Sequence, residues 1–486
     1  LTSEPEETLD PEDWSAVRAV AHKMVDDAID HLRQVRSRPV WRPMPRQAET
    51  PFDGSVPMEP QSLRQVYEVF QATIAPYPMG NIHPRFWGWY MGAGNFTGAL
   101  ADFLAAIDGS NLGGGDTGAA RAESQVLNWL KEMMGFPTTA SGALTSGGSV
   151  ANLVCLTVAR NARAGVDVRA DGVATLPQEL RFYASDQAHS CHQKALEILG
   201  LGARALRLIP TDAAFRMDLA ALERQIARDR DDGKKPVCVI ATAGAVSTGA
   251  IDDLSAIRSI CAREDMWFHV DGCIGALLKI APNARGLVDG LEAANSVALD
   301  PHKWLHTPFE AGCALVRDAE KHRSTFEMHG AYLQLQTRGV LSGDFLADYG
   351  LQLSRSFKAL KIWMSLKEHG VSKFGRLVDQ NVAQAARLAQ LIEATPELEL
   401  MAPVPINIVC FRYRGPGGDE AALRDLNLEL MLRIQESGGA VLSDTTLDGR
   451  HSLRVAIANH RTEWRDLEFL IEEVKRIGRA LAPNFL

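Results

Sequence analysis

Six short apolar runs, at 182–185, 205–209, 237–242, 267–271, 296–299 and 313–316, constrain the fold of this chain more than any other feature. Runs this brief and this uniformly apolar read as strands buried on both faces. The segments between them, such as 219–231 and 254–264, carry helical periodicity or turn residues. Short buried strands alternating with amphipathic helices predict an α/β fold with a mostly parallel central sheet covered on both sides. Ligands in such sheets bind beyond the carboxyl ends of the strands. The residues that end the runs therefore matter: Asp186 and His189, the stretch 242–247, Asp271, and the stretch 300–303.

At 486 residues the chain exceeds a single ordinary core. Helical periodicity over 14–35 is followed by a proline-rich stretch, 39–60, that contains Trp41 and Phe52. Prolines lack an N–H and restrict the residue before them, so this stretch is not regular helix. It is predicted to lie extended over another surface, a second subunit included, with a short helix at 62–74 closing the segment. A helix over 355–369 stops at Gly370, and a smaller α/β unit follows: helix 379–392, strand 408–413, helix 420–437, strand 453–458 and a final helix. The expected division is an N-terminal segment 1–84, a large domain 85–360 and a small C-terminal domain 361–486.

Composition narrows the function. Apolar residues make up 46% and charged residues 23%, as in a soluble globular protein. No apolar run is long enough to span a bilayer. A net charge of −9 argues against a nucleic-acid partner, which favours a basic face. The acidic stretch 1–13 resembles neither a secretory signal nor a transit peptide. The seven cysteines are scattered, with no CxxC pair, and read as buried reduced thiols of a cytoplasmic protein without a metal site.

Chemistry concentrates in four places. In Asp300-Pro301-His302-Lys303-Trp304 a lysine stands directly after a strand and a proline turn. Its amine can form an imine with an aldehyde cofactor; a solvated surface lysine is the plain alternative. Asp271, in His269-Val270-Asp271-Gly272, ends a central strand, where a carboxylate needs a partner. A protonated pyridine nitrogen would serve, and so would a helix cap or an ion pair. Ser146-Gly147-Gly148-Ser149 opens a helical run to Arg163, so Gly148 and Ser149 can cradle a phosphate, or simply cap the helix. His189 follows Asp186-Gln187-Ala188 at another strand end, where an imidazole can stack on a planar ring or serve the structure alone.

Taken in order, cradle, histidine, aspartate and lysine resemble the group II pyridoxal-5′-phosphate (PLP) dependent amino acid decarboxylases, the relatives of aromatic-L-amino-acid decarboxylase. The likeness runs from about His83 into the C-terminal domain, and SDQAHS at 185–190, HVDGCIGA at 269–276 and DPHKW at 300–304 are its most specific pieces. It implies PLP fold type I and an intertwined homodimer. Lys303 then attaches the cofactor, Asp271 pairs with the pyridine nitrogen and His189 stacks on the ring. Gly148, Ser149 and Ser296 are implied at the phosphate, Thr242 among the cofactor contacts, and His302 beside the lysine. Trp89, Tyr90, Asn111, Gly113 and Arg454 are implied on the substrate side; a strand-end ion pair is the alternative for Arg454. The loop 325–342 corresponds to the family's active-site lid, and its Tyr332 to the tyrosine that returns a proton to the substrate carbon.

Two departures stand out. Ala245 and Val246 replace a threonine pair, one member of which lies near the cofactor's phenolic oxygen in relatives. Asn111 and the run Gly113-Gly114-Gly115 replace bulkier apolar groups, which predicts a roomier pocket or, more simply, a turn. The expected reaction is decarboxylation of an L-amino acid, aromatic by preference, to the amine and carbon dioxide. Coupled oxidative deamination to an aldehyde, transamination, and a silent dimeric binding protein are the rival readings.

Overall fold

A computed structural model of the chain describes residues 6–328, 330 and 336–485. Its centre is a seven-stranded sheet in the order β1-β7-β6-β5-β4-β2-β3. The strands are β1 (Ser141–Thr145), β2 (Leu180–Ser185), β3 (Leu206–Ile209), β4 (Lys235–Thr242), β5 (Trp267–Asp271), β6 (Ser296–Leu299) and β7 (Gly312–Val316). From β3 across to β6 every pairing is parallel; β7 runs antiparallel to both β6 and β1. Successive side chains on a strand face opposite ways. Accordingly Val239, Val270, Val297 and Leu315 pack into one apolar layer, and Ile240, Trp267, Ala298 and Ala314 into the other. This is the α/β fold of PLP fold type I that the apolar runs and the motif order predict.

The smaller unit carries an antiparallel sheet, β10-β11-β9-β8, from β8 (Leu398–Leu400), β9 (Ile408–Tyr413), β10 (Ser443–Leu447) and β11 (Arg450–Ala456). The helices Val371–Glu393, Glu420–Glu436 and Trp464–Phe485 contribute to its separate core. At the other end of the chain, α1 (Trp14–Arg33) starts from an Asp13 cap, and α2 (Leu63–Thr73) from a capping box of Ser62 with Gln65. The proline-rich stretch between them is mostly irregular, as read. Val40 buries itself against Phe86 and Val441 and donates its N–H to Gly438 O, so this stretch lies over the chain's own small unit at that point. A third helix, α3 (Phe96–Asp108), leads into the glycine run.

Two boundaries differ from expectation. The helix read from residue 355 begins at Ala359, because the backbone before it pairs elsewhere: Leu112 N–H donates to Arg355 O, and Arg355 N–H to Asn111 Oδ1. The helix read from 379 begins at Val371, immediately after Gly370, which takes a positive φ of 73°.

Candidate active site

Thr242 ends β4 and Asp271 ends β5, and the two are register partners. On adjacent parallel strands such a pair leaves the sheet on one face, here into a cavity of about 510 Å³. Lys303 follows β6 in a turn closed by its own N–H donating to Asp300 O at 3.0 Å. A second wall is the start of α4 (Gly148–Arg163), with Gly147, Gly148, Ser149 and Asn152 lining it. Trp89, Tyr90 and Met91 form a third, and His189 a fourth, just before α5 (Cys191–Ile198).

Lys303 is largely buried, with Nζ 2.9 Å from Asp300 Oδ2 and 5.7 Å over the Tyr90 ring. Burial opposes its charge, but the Asp300 carboxylate outweighs this and holds the ammonium above the ordinary lysine range. Tyr90 turns its hydroxyl away, accepting from Asn407 Nδ2 at 2.8 Å, so it offers the cavity a ring. Asp271 is buried as well. Burial alone would favour its neutral form, yet His192 Nε2 at 2.9 Å and the Cys273 N–H at 3.2 Å hold its carboxyl far below the usual range. It therefore presents a full negative charge at the end of β5.

His189 Nδ1 accepts the Cys191 N–H at 3.1 Å, which leaves the ring proton on Nε2. Its pKa is lowered by burial, with Asp271 opposing. His302 Nδ1 likewise accepts the Ala311 N–H at 3.2 Å, and burial lowers its pKa.

At the α4 start the Val150 and Ala151 N–H groups donate to Gly147 O, while the N–H groups that open a helix generally lack intrahelical partners and suit an anion. A hydrogen-bond chain holds this end in place. Trp267 Nε1 donates to Ser296 Oγ, which donates to His269 Nδ1; His269 Nε2 donates to Asn152 Oδ1, and Asn152 Nδ2 to Gly148 O. The distances run from 2.7 to 2.9 Å, and one direction satisfies every member. Gly148 is required by close approach: a Cβ there would collide with Cys273 Sγ and stand 2.9 Å from Asp300 Oδ2. Gly148→Ala is therefore expected to weaken cofactor retention by about 1–3 kcal/mol, the usual cost of overpacking. Titrating the apoprotein with PLP checks this, and adding Cys273→Ala should recover part of the loss.

Several residues implied by the resemblance lie elsewhere. Ser296 does not line the cavity; it opens β6 at the end remote from Lys303 and acts on the cradle only through His269 and Asn152. Arg454 does not line it either. Its Nε donates to Val246 O at 2.7 Å and its Nη1 to Trp89 O at 2.6 Å and to Ser443 Oγ, so it ties two walls together from behind, while its buried Nη2 has no partner among the described residues. Burial lowers its pKa to about 10. Asn111 and Gly113 are also absent from this chain's cavity wall. Asn111 Oδ1 accepts from Gly113 N and Arg355 N, and a Cβ on Gly113 would stand 2.6 Å from Leu353 O. The glycine serves a tight turn in this chain. Tyr332 lies outside the described residues. At the β4 end, where Ala245 and Val246 carry no hydroxyl, Thr242 does, and its buried Oγ1 has no partner among the described residues.

Sequence reasoning gave no role to Asp300, Asn152 or His192. The first two sit inside motifs already singled out. His192 lies three residues after His189, in the first turn of α5, within reach of a motif already singled out. With Cys191 and Asp271 it also sets donor atoms within 4.8 Å of one another, a trio able to hold a metal ion that the sequence did not suggest.

The unpartnered Thr242 Oγ1 and Asp300 Oδ1, the anion cradle, the carboxylate at a strand end and the buried amine suit one small molecule with an aldehyde, a phosphate and a basic ring nitrogen. On this fold, those requirements define the PLP-dependent enzymes of fold type I. Residues 45–414 match the pyridoxal-dependent decarboxylase conserved domain, and the chain belongs to that family. It is 32% identical over 475 residues to an aromatic-L-amino-acid decarboxylase of Bacillus atrophaeus, covering 96% of this chain and 97% of that protein. A phenylacetaldehyde synthase of Arabidopsis thaliana is 29% identical, covering 95% of each. The crystal structure of Oryza sativa TDC with PLP and tryptamine superposes with a TM-score of 0.89 at 28% identity, over 98% of this chain and 100% of that one. The protein is thus a PLP-dependent amino acid decarboxylase, a carbon–carbon lyase. No described helix is long and apolar enough to cross a membrane.

Proposed function

We propose that this enzyme converts an aromatic L-amino acid to its amine, with Lys303, Asp271, His189 and Tyr332 as the working groups. The observation that carries the aromatic preference is the Trp89–Tyr90 wall beside Lys303, where Tyr90 offers a ring face and no polar group. The name of the Bacillus relative agrees with it.

When bound, PLP supplies a cationic ring that takes up the electron pair left by departing carbon dioxide. The protein does the rest. Lys303 would attach the cofactor through its amine. Asp271 would hold the positive charge on the ring nitrogen, and His189 would pack against the ring. Gly148 and Ser149 would hold the phosphate, with Thr242 and His302 completing the cofactor contacts. Tyr332 returns a proton to the substrate carbon. A decarboxylation screen across L-amino acids, with amine and aldehyde both quantified, tests the reading. Preference for a small or acidic amino acid would overturn the aromatic assignment.

The phenylacetaldehyde synthase likeness makes the aldehyde a second outcome to be tested. A positioned acid typically contributes about 10²–10⁴-fold to its step. Tyr332→Phe is therefore expected to lose amine formation by that order and to gain aldehyde, ammonia and peroxide in air. Amine release at the wild-type rate would assign the proton to another group, His302 being next.

We also infer a homodimer. α2 and α3 expose apolar faces, Val66, Val69 and Phe70 on one and Phe103, Leu104 and Ile107 on the other, that a second copy would bury. Asn111 and Gly113 directly follow α3, so such a dimer carries them to the interface. The seven buried, unpaired cysteines favour a reducing, cytoplasmic setting.

A further inference from the structure

Asp271 has two oxygens and two fixed donors. Oδ1 accepts the Cys273 N–H at 3.2 Å, and Oδ2 lies 2.9 Å from His192 Nε2. His192 is fully buried, and its Nδ1 has no hydrogen-bond partner among the described residues. A carboxylate at Nε2 fixes the proton there. A second proton, on Nδ1, would bury an N–H without an acceptor, which is costly. His192 therefore serves as a neutral donor, and the pair keeps one whole negative charge. An imidazolium in its place would cancel the charge that Asp271 offers the cavity. The other titratable groups around the pair are His189, Cys191, His269, Cys273, Lys303 and Asp300. Burial favours the neutral forms of His189, His269, Cys191 and Cys273, which leaves Asp271 as the anion facing the ring.

We propose that His192 is a positioning residue for the reaction: its Nε2–H aims the Asp271 carboxylate and keeps it anionic toward the ring nitrogen of PLP. It acts through Asp271, since it does not line the cavity. The proposal rests on the reading that Asp271 pairs with that nitrogen. Without the His192 donor, the proton shared between ring and carboxylate moves toward Asp271, and the ring loses charge.

The test is binding to the apoprotein, with two ligands: PLP, and the analogue in which carbon replaces the ring nitrogen. Wild-type protein should prefer PLP. His192→Leu fills the space without a donor and should weaken PLP binding about ten- to a hundredfold, the size of a lost hydrogen bond to a charged group. The analogue's affinity should stay unchanged, because it has no nitrogen to pair. His192→Gln, which keeps an N–H donor, should recover much of the loss. In His192→Leu the pH titration of the bound cofactor's visible band should also move, and kcat should fall with KM unchanged. If His192→Leu does not fold, His192→Met makes the same comparison. Equal losses for PLP and the analogue would reduce His192 to packing and overturn the proposal. A wild-type protein indifferent to the ring nitrogen would instead overturn the reading of Asp271.

Discussion

Lys303→Ala is expected to abolish turnover while leaving a folded protein. Lys303 is the one lysine among the described residues that line the cavity, so no neighbour replaces its amine. Loss of a positioned proton-transfer group alone costs about 10²–10⁴-fold, and here covalent attachment of the cofactor disappears with it. Borohydride reduction of wild-type protein followed by peptide mapping should find the pyridoxyl group on Lys303. The same treatment of Lys303→Ala should find none, and a label on another lysine would refute the assignment. The substitution also strands Asp300, a buried carboxylate that pairs with Lys303 at 2.9 Å. Breaking a buried pair by removing one partner costs about 3–5 kcal/mol. Lys303→Ala should therefore melt earlier than wild type, and the double variant with Asp300→Asn should recover stability without recovering activity. That separation distinguishes lost chemistry from lost structure.

The sequence was most legible where structure is local. The runs 267–271 and 296–299 are β5 and β6 to the residue, because buried parallel strands are apolar throughout and turns bound them. Strands β1 and β10 escaped notice, as did the three-residue β8. The first is made of small residues, and the second alternates polar side chains on an exposed face, so neither shows an apolar run. The site follows the same division. Asp271, Lys303 and Gly148 stand at strand and helix ends, where a fold of this class gathers its ligands, and a single cavity unites them. Arg454, Asn111 and Gly113 depend on how distant segments cross, which periodicity does not encode. Ser296 was readable and misplaced: it begins its strand, whereas the cavity lies past the strand's other end. The His192 contact joins residues far apart in sequence, and only the folded chain brings its imidazole to Asp271.

Asp271→Asn is expected to keep the fold and lose most of the activity. The amide is nearly isosteric, and its oxygen can still accept from His192 Nε2 or the Cys273 N–H, so the end of β5 retains an anchor. What it lacks is charge. Removing one member of a buried charge pair costs about 3–5 kcal/mol, on the order of 10²–10⁴-fold, and here the stranded partner would be the cofactor's ring proton. The pH behaviour separates this from general damage. The folded-state pKa of Asp271 is depressed below the unfolded carboxylate value of about 3.9, since its hydrogen bonds overcome burial. A depressed carboxylate contributes fully above its unfolded pKa and loses that contribution only as pH falls toward the folded one. The ratio of wild-type to Asp271→Asn folding constants, measured on the apoproteins, should therefore be flat from about pH 5 to 8 and shrink only in stronger acid. Near-normal turnover of the variant with cofactor bound would make Asp271 a structural strand-end carboxylate. A ratio that already falls across neutral pH would mean that the titrating group is another one, and His189 on the facing wall would be the first to replace.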